Sequence, residues 1–128
     1  PAAVGAAVAV PARPVLSLQA DGSAMYTISA LWTQARESLD ITTIVLNNGA
    51  YQILRWELAN VGVAEPHTRG RRVTDLLDLG NPDLDFVKIA EGMGVPARRV
   101  STAEELAAAL REAFSEPGPH LIEAMLRA

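Results

Sequence analysis

Ile41-Thr42-Thr43-Ile44-Val45-Leu46 places five β-branched residues in six, and such a run is best housed in a strand covered by apolar side chains on both faces. The segments around it have helical and strand periods in turn. Ala2 to Val10 is apolar and is predicted to be a buried helix end. Pro11 and Pro14 bracket a turn, and Val15 to Gln19 reads as a short buried strand. Ile28, Leu31, Trp32 and Ala35 fall at i, i+3, i+4 and i+7, the inward face of a predicted helix.

The second half continues the alternation. Tyr51 to Asn60 can form a helix, and Val61 to Gly80 is polar and without clear periodicity, the stretch expected to be mobile. A helix is predicted from Asp83 to Glu91, with Phe86, Ile89 and Ala90 inward and Gly92 and Gly94 as stop signals. Val95 to Val100 returns as a strand. Thr102 and Glu105 have capping-box spacing ahead of an apolar stripe of Leu106, Leu110 and Phe114. Pro117-Gly118-Pro119 ends that helix, and His120 to Met125 reads as the last strand. Alternating strand and helix imply a three-layer α/β/α sandwich with a mainly parallel sheet and right-handed crossovers. At 128 residues, 49% of them hydrophobic, the chain is expected to be a single domain with a real core.

Polar residues stand where the predicted strands end. Asp21-Gly22-Ser23 follows Val15-Leu16-Ser17-Leu18 closely, and Asn47-Asn48 follows Ile44-Val45-Leu46. The carboxyl ends of strands are where open parallel sheets bind ligands. A small divalent cation such as Mg²⁺ takes oxygen ligands, often one or two carboxylates, with amide or backbone carbonyls, water and phosphate oxygens completing its shell. Asp21 can supply the anionic oxygen and Asn48 a neutral one. Gly22 permits a sharp turn, and Ser23 then opens a helix whose free amides favour an anion. Asp21 alone reads rather as a helix cap, and Asn48-Gly49 alone as a common turn pair. Together, each after a strand, they point to a metal beside a diphosphate.

At these residues the chain resembles the thiamine-diphosphate enzymes, whose signature is commonly Gly-Asp-Gly, a helix and a strand, then Asn-Asn. The stretches Asp21 to Thr33 and Asn47 to Tyr51 are similar to the benzoylformate decarboxylase and acetolactate synthase-like branch, and the likeness extends to Glu116 to Ala124. Ala20 departs from the pattern, standing where the family has the first glycine. The resemblance implies that Asp21, Asn48 and the backbone carbonyl of Ala50 hold Mg²⁺. It also implies that Gly22, Ser23, Tyr26 and Tyr51 lie at the thiamine diphosphate, with Leu54 and Trp56 near the substrate pocket. Core or helix packing is an open alternative for Tyr26, Tyr51, Leu54 and Trp56; Asn47 is expected to support the turn.

The implied activity is that of a lyase or transferase, decarboxylation of a 2-oxo acid with aldehyde release or carboligation. Family members are several times longer, with a pyrimidine-binding domain that carries the activating glutamate, so no catalytic residue is assigned in this chain. Because it begins at Pro1 without methionine, the chain is expected to be a carboxyl-terminal piece of a longer enzyme. The implied partners are a small 2-oxo acid, a pyrimidine-binding domain on the same or another chain, and further copies in a homo-oligomer. One subunit of a split enzyme, or a noncatalytic assembly module that keeps the fold, are the alternatives.

Other classes lack support. A net charge of −4, with basic clusters only at Arg69, Arg71 and Arg72 and at Arg98-Arg99, argues against nucleic acid; these clusters are expected in solvated loops. No cysteine is present to form a disulfide or thiolate site, which fits a cytoplasmic location, and Ala2 to Val10 is too short to span a membrane. His67 has no catalytic partner at a telling spacing, His120 is expected to be structural, and no Walker or Gly-x-Gly-x-x-Gly loop occurs.

Overall fold

A computed structural model of the chain describes residues 1–62 and 75–126. These form two compact units, one from Pro1–Asn47 with Asp85–Ala128 and the other from Asn48–Leu84. Most of the stretch expected to be mobile, and with it His67 and the first arginine cluster, lies outside the described residues.

The first unit is built on four strands, β1 (Val15–Ala20), β2 (Ile41–Asn47), β3 (Ala97–Val100) and β4 (His120–Met125), in the order β1-β2-β4-β3. Every pairing is parallel. β2 is central and buried along nearly its whole length, as its β-branched run predicts. The helices are α1 (Ala2–Ala9), the single turn α2 (Asp21–Ala24), α3 (Ala30–Arg36), α5 (Phe86–Gly92) and α6 (Ala103–Ser115), while α4 (Gln52–Asn60) belongs to the second unit. The parallel α/β sandwich expected from the sequence is therefore the architecture of this unit.

Side chains alternate between the two faces of each strand. Ile44, Ile122, Ala124 and Val100 pack under α6 against its buried Ala109 and Ala113. The other face meets α1 and α3, where Thr43, Val45 and Leu121 help to line a cavity of about 160 Å³. Two oxygens of cavity-lining residues, Gln34 Oε1 and Thr43 Oγ1, are buried without a protein partner among the described residues. α5 lies over β3 and β4, led by the fully buried Phe86 and Ala90.

Several elements differ from their sequence-based forms. The helix expected around residue 28 is interrupted: α2 is one turn, and α3 starts only at Ala30. Trp32 does not turn inward with Leu31; it is 53% exposed under the Arg36 guanidinium, 5.4 Å from its ring centroid, and Gln34 is buried instead. On α6 the small Ala109 and Ala113 meet the sheet, so Leu106 and Leu110 sit at the side of the contact and Phe114 is exposed. Arg98 and Arg99 are not in a loop but on β3, where alternation aims them at opposite faces: Arg98 pairs with Glu112 of α6, and Arg99 with Glu123 and Asp85. Gly94, with φ +82°, closes α5 as expected, whereas α3 is closed by Ser38 at φ 49°, a left-handed position that glycine usually fills. Among the described residues no helix is long and apolar enough to cross a membrane.

Candidate functional site

β1 and β2 run side by side with Ala20 opposite Leu46, so the chain leaves both strands at the same edge of the sheet. Asp21 is the first residue beyond β1 and is 2% exposed. Its Oδ1 accepts a hydrogen bond from Gly22 N at 2.8 Å, and Gly22 is buried with it. Ser23 is exposed and turns its hydroxyl back onto the Ala20 carbonyl at 3.0 Å. Ala20, the departure from the glycine pattern, has φ −82° and ψ 154°. That is extended backbone open to any residue, so the methyl group adds no backbone strain.

The second unit holds the residues after Asn47. Asn48 Oδ1 accepts from Ala50 N at 3.0 Å, and Gly49 takes φ +71°, which closes a tight Asx-type turn. A short antiparallel bridge pins that turn: Ala50 pairs with Asp78, Leu79 N donates to Gly49 O at 2.8 Å, and Tyr51 N donates to Leu77 O at 2.9 Å. Ala50 is buried, and its carbonyl accepts from Gln52 N at 2.9 Å, which leaves the second lone pair of that oxygen for another partner. Asn48, Ala50 and Tyr51 are thus gathered into one turn, as Asp21, Gly22 and Ser23 are at the end of β1.

Other predicted site residues are placed less decisively. Tyr26, at 80% exposure, packs into no core, which removes the core-packing alternative for it. Leu54 and Trp56 lie on α4, none of whose residues is buried, and are 47% and 60% exposed. His120 donates to or accepts from nothing catalytic; its Nε2 lies 2.9 Å from the Glu116 carbonyl, a structural contact near the end of α6.

The sequence reading passed over Glu123. It is wholly buried on β4, yet it is a carboxylate. Register explains its partners: Arg99 lies opposite it on β3, and Val45 opposite it on β2, two residues before Asn47 on the same face. Asn47 Nδ2 donates to Glu123 Oε1 at 2.7 Å and Arg99 Nε to Oε2 at 2.8 Å. Arg99 also reaches Asp85 Oδ1 at 3.2 Å, and Asp85 in turn caps α5 through Lys88 N and pairs with Lys88 Nζ at 2.9 Å. The side-chain hydrogen bond from Lys88 is the main cause that holds the Asp85 carboxyl below its ordinary value. A single Glu within the apolar strand Leu121-Ile122-Glu123-Ala124 was the available signal, because a buried charge demands a partner.

Residues 1–124 match the family described as thiamine pyrophosphate enzyme, C-terminal TPP binding domain. A Mycobacterium tuberculosis protein named "Putative acetolactate synthase large subunit IlvX" is 67% identical over 98% of this chain and 24% of its own length. The benzoylformate decarboxylase of Pseudomonas aeruginosa is 45% identical over 96% of this chain and 21% of its own length. Among solved structures, the thiamine diphosphate-dependent 4-hydroxybenzoylformate decarboxylase of Rhodococcus jostii RHA1 superposes with a TM-score of 0.85 at 41% identity, over 98% of this chain and 22% of that one. The chain thus spans about a quarter or less of the length of these relatives. With the family matched over residues 1–124 and the parallel sheet in agreement, the chain belongs to the thiamine pyrophosphate enzymes, as their C-terminal domain that binds thiamine diphosphate.

Proposed function

We propose that the 128 residues act as one diphosphate-binding domain, anchoring thiamine diphosphate through Mg²⁺ in an enzyme that decarboxylates a 2-oxo acid and then releases an aldehyde or joins the fragment to a second carbonyl compound. The observation that carries this reading is the Asp21 carboxylate, 2% exposed at the carboxyl end of β1. The donor set suits a hard cation: one carboxylate from Asp21, one amide oxygen from Asn48 and the free lone pair of the Ala50 carbonyl. Among the described residues no group of three or more His, Cys, Asp or Glu could hold a metal. Water and the diphosphate oxygens would complete the shell.

When bound, thiamine diphosphate supplies the nucleophilic carbon and the electron sink for decarboxylation. The chain's own part is to bind and orient. Asp21 offsets the charge that a cation brings beside the phosphates, the Asn48 turn presents a neutral oxygen, and Gly22 and Ser23 offer backbone and hydroxyl groups to the anion. Tyr26 and Tyr51 border the cofactor, and Leu54 and Trp56 present apolar surface to the substrate. Activation falls to a pyrimidine-binding domain on the same or another chain.

The test is calorimetric titration of thiamine diphosphate into the 128-residue chain, with and without Mg²⁺, beside Asp21→Ala. Binding that requires the metal and disappears in Asp21→Ala is expected, with no turnover of pyruvate or benzoylformate by the same sample. Metal-independent binding, or binding retained by Asp21→Ala, would overturn the assignment of the cation site. Turnover by the chain alone would overturn the division of labour.

A further inference from the structure

We propose that Glu123 is a positioning residue for the cation-binding turn: by holding the Asn47 side chain it fixes the direction in which the chain leaves β2 for Asn48. The inference rests on the reading of Asn48 as a metal ligand. Asn47 is the last residue of β2, and it is tied both to β4 and to the residue that follows β4. Its side-chain amide donates to Glu123 Oε1 at 2.7 Å, and its backbone carbonyl accepts from Leu126 N at 2.8 Å.

A carboxylate with no exposed surface is a costly way to fill a strand position, and a well-packed apolar residue would serve stability as well or better. What the carboxylate adds is direction. It has two oxygens, one for Asn47 and one for Arg99, so neither oxygen has to serve both donors. Arg99 is itself steadied by Asp85 at the cap of α5, so the chain of contacts runs from a helix terminus through two strands to the residue before the proposed ligand. Groups that orient a metal ligand from behind change metal affinity by about ten- to a hundredfold when removed.

Glu123→Gln keeps the shape but replaces one of the two acceptor oxygens by an NH₂ group, which then faces either the Asn47 or the Arg99 donor with no lone pair to offer it. The experiment measures the apparent Mg²⁺ affinity at a fixed concentration of thiamine diphosphate in the unmutated chain, Glu123→Gln, Asn47→Ala and the double variant, with each metal-free melting temperature as a control. The single variants are expected to weaken Mg²⁺ by about tenfold, and the double variant no further, because both act on one contact. A residue that merely stabilises the sheet would lower the melting temperature and leave the affinity of the folded chain unchanged. Additive losses in the double variant, or Glu123→Gln binding Mg²⁺ like the unmutated chain, overturn the inference and leave the metal reading standing. Absence of metal-dependent binding in the unmutated chain overturns both. If Glu123→Gln does not fold, Asn47→Ala decides: it keeps the Glu123–Arg99 pair, and unchanged Mg²⁺ affinity in it overturns the inference.

Discussion

Ala20 leaves β1 in ordinary extended backbone, at φ −82° and ψ 154°, so the alanine in place of the family's glycine has no conformational cost to impose. Ala20→Gly should therefore bring no gain at the cofactor. It should cost roughly 0.5–1 kcal/mol of stability, since glycine loses more freedom on entering a strand. The expected result is a lower melting temperature with thiamine diphosphate affinity changed by less than about threefold, under 1 kcal/mol. A gain in affinity beyond about tenfold would show that the methyl group crowds the diphosphate. Asp21 and Asn48 could be singled out in the sequence because the two oxygen donors each follow an apolar strand, a pairing that neither a helix cap nor a turn requires. The exposure of Tyr26 was not legible there, because it depends on the break between α2 and α3.

Helix ends carry much of what the elements owe to charge. Asp85 caps α5 and Glu112 on α6 pairs with Arg98 of β3. The Asp85 carboxyl lies below its ordinary 3.8, mainly through the side-chain hydrogen bond from Lys88, and Glu112 below its ordinary 4.5, mainly through that from Arg98. A carboxyl whose pKa falls on folding stabilises the fold above its ordinary value, and this contribution is lost as pH falls through the lower folded value. The melting temperature should thus be flat from about pH 7 to pH 5 and decline below about pH 4. In a variant combining Asp85→Asn with Glu112→Gln the decline should be shallower; parallel curves for the two proteins would refute the attribution. The strands and the Thr102–Glu105 capping box were readable because their signals are local. The burial of Gln34 in place of Trp32, and the pairing of Arg99 with Glu123 across 24 residues of sequence, depend on which elements become neighbours.

At the scale of the whole molecule, the parallel sheet has an incompletely covered margin. All-parallel sheets normally have helices over both faces, but α6 spans β2, β4 and β3 and leaves the same face of β1 open, with Leu16 47% and Leu18 61% exposed. The alternate residues Ser17 and Gln19 face the helix-covered cavity, so β1 turns its polar side inward and its leucines outward. β1 is also an edge strand, and an apolar edge is a template for another chain. Burying a leucine fully is worth about 1.5–3 kcal/mol, and the half of Leu16 and Leu18 that is exposed would add roughly half of that per residue on each copy, a contribution to association that the rest of the interface has to complete. Light scattering on the 128-residue chain is expected to give a dimer or larger species. Leu18→Lys should shift it toward the 13.6 kDa monomer without lowering the melting temperature, because that side chain contributes little to the core. A monodisperse monomer of the unmutated chain would contradict the homo-oligomer proposal and leave β1 as an edge that tolerates water.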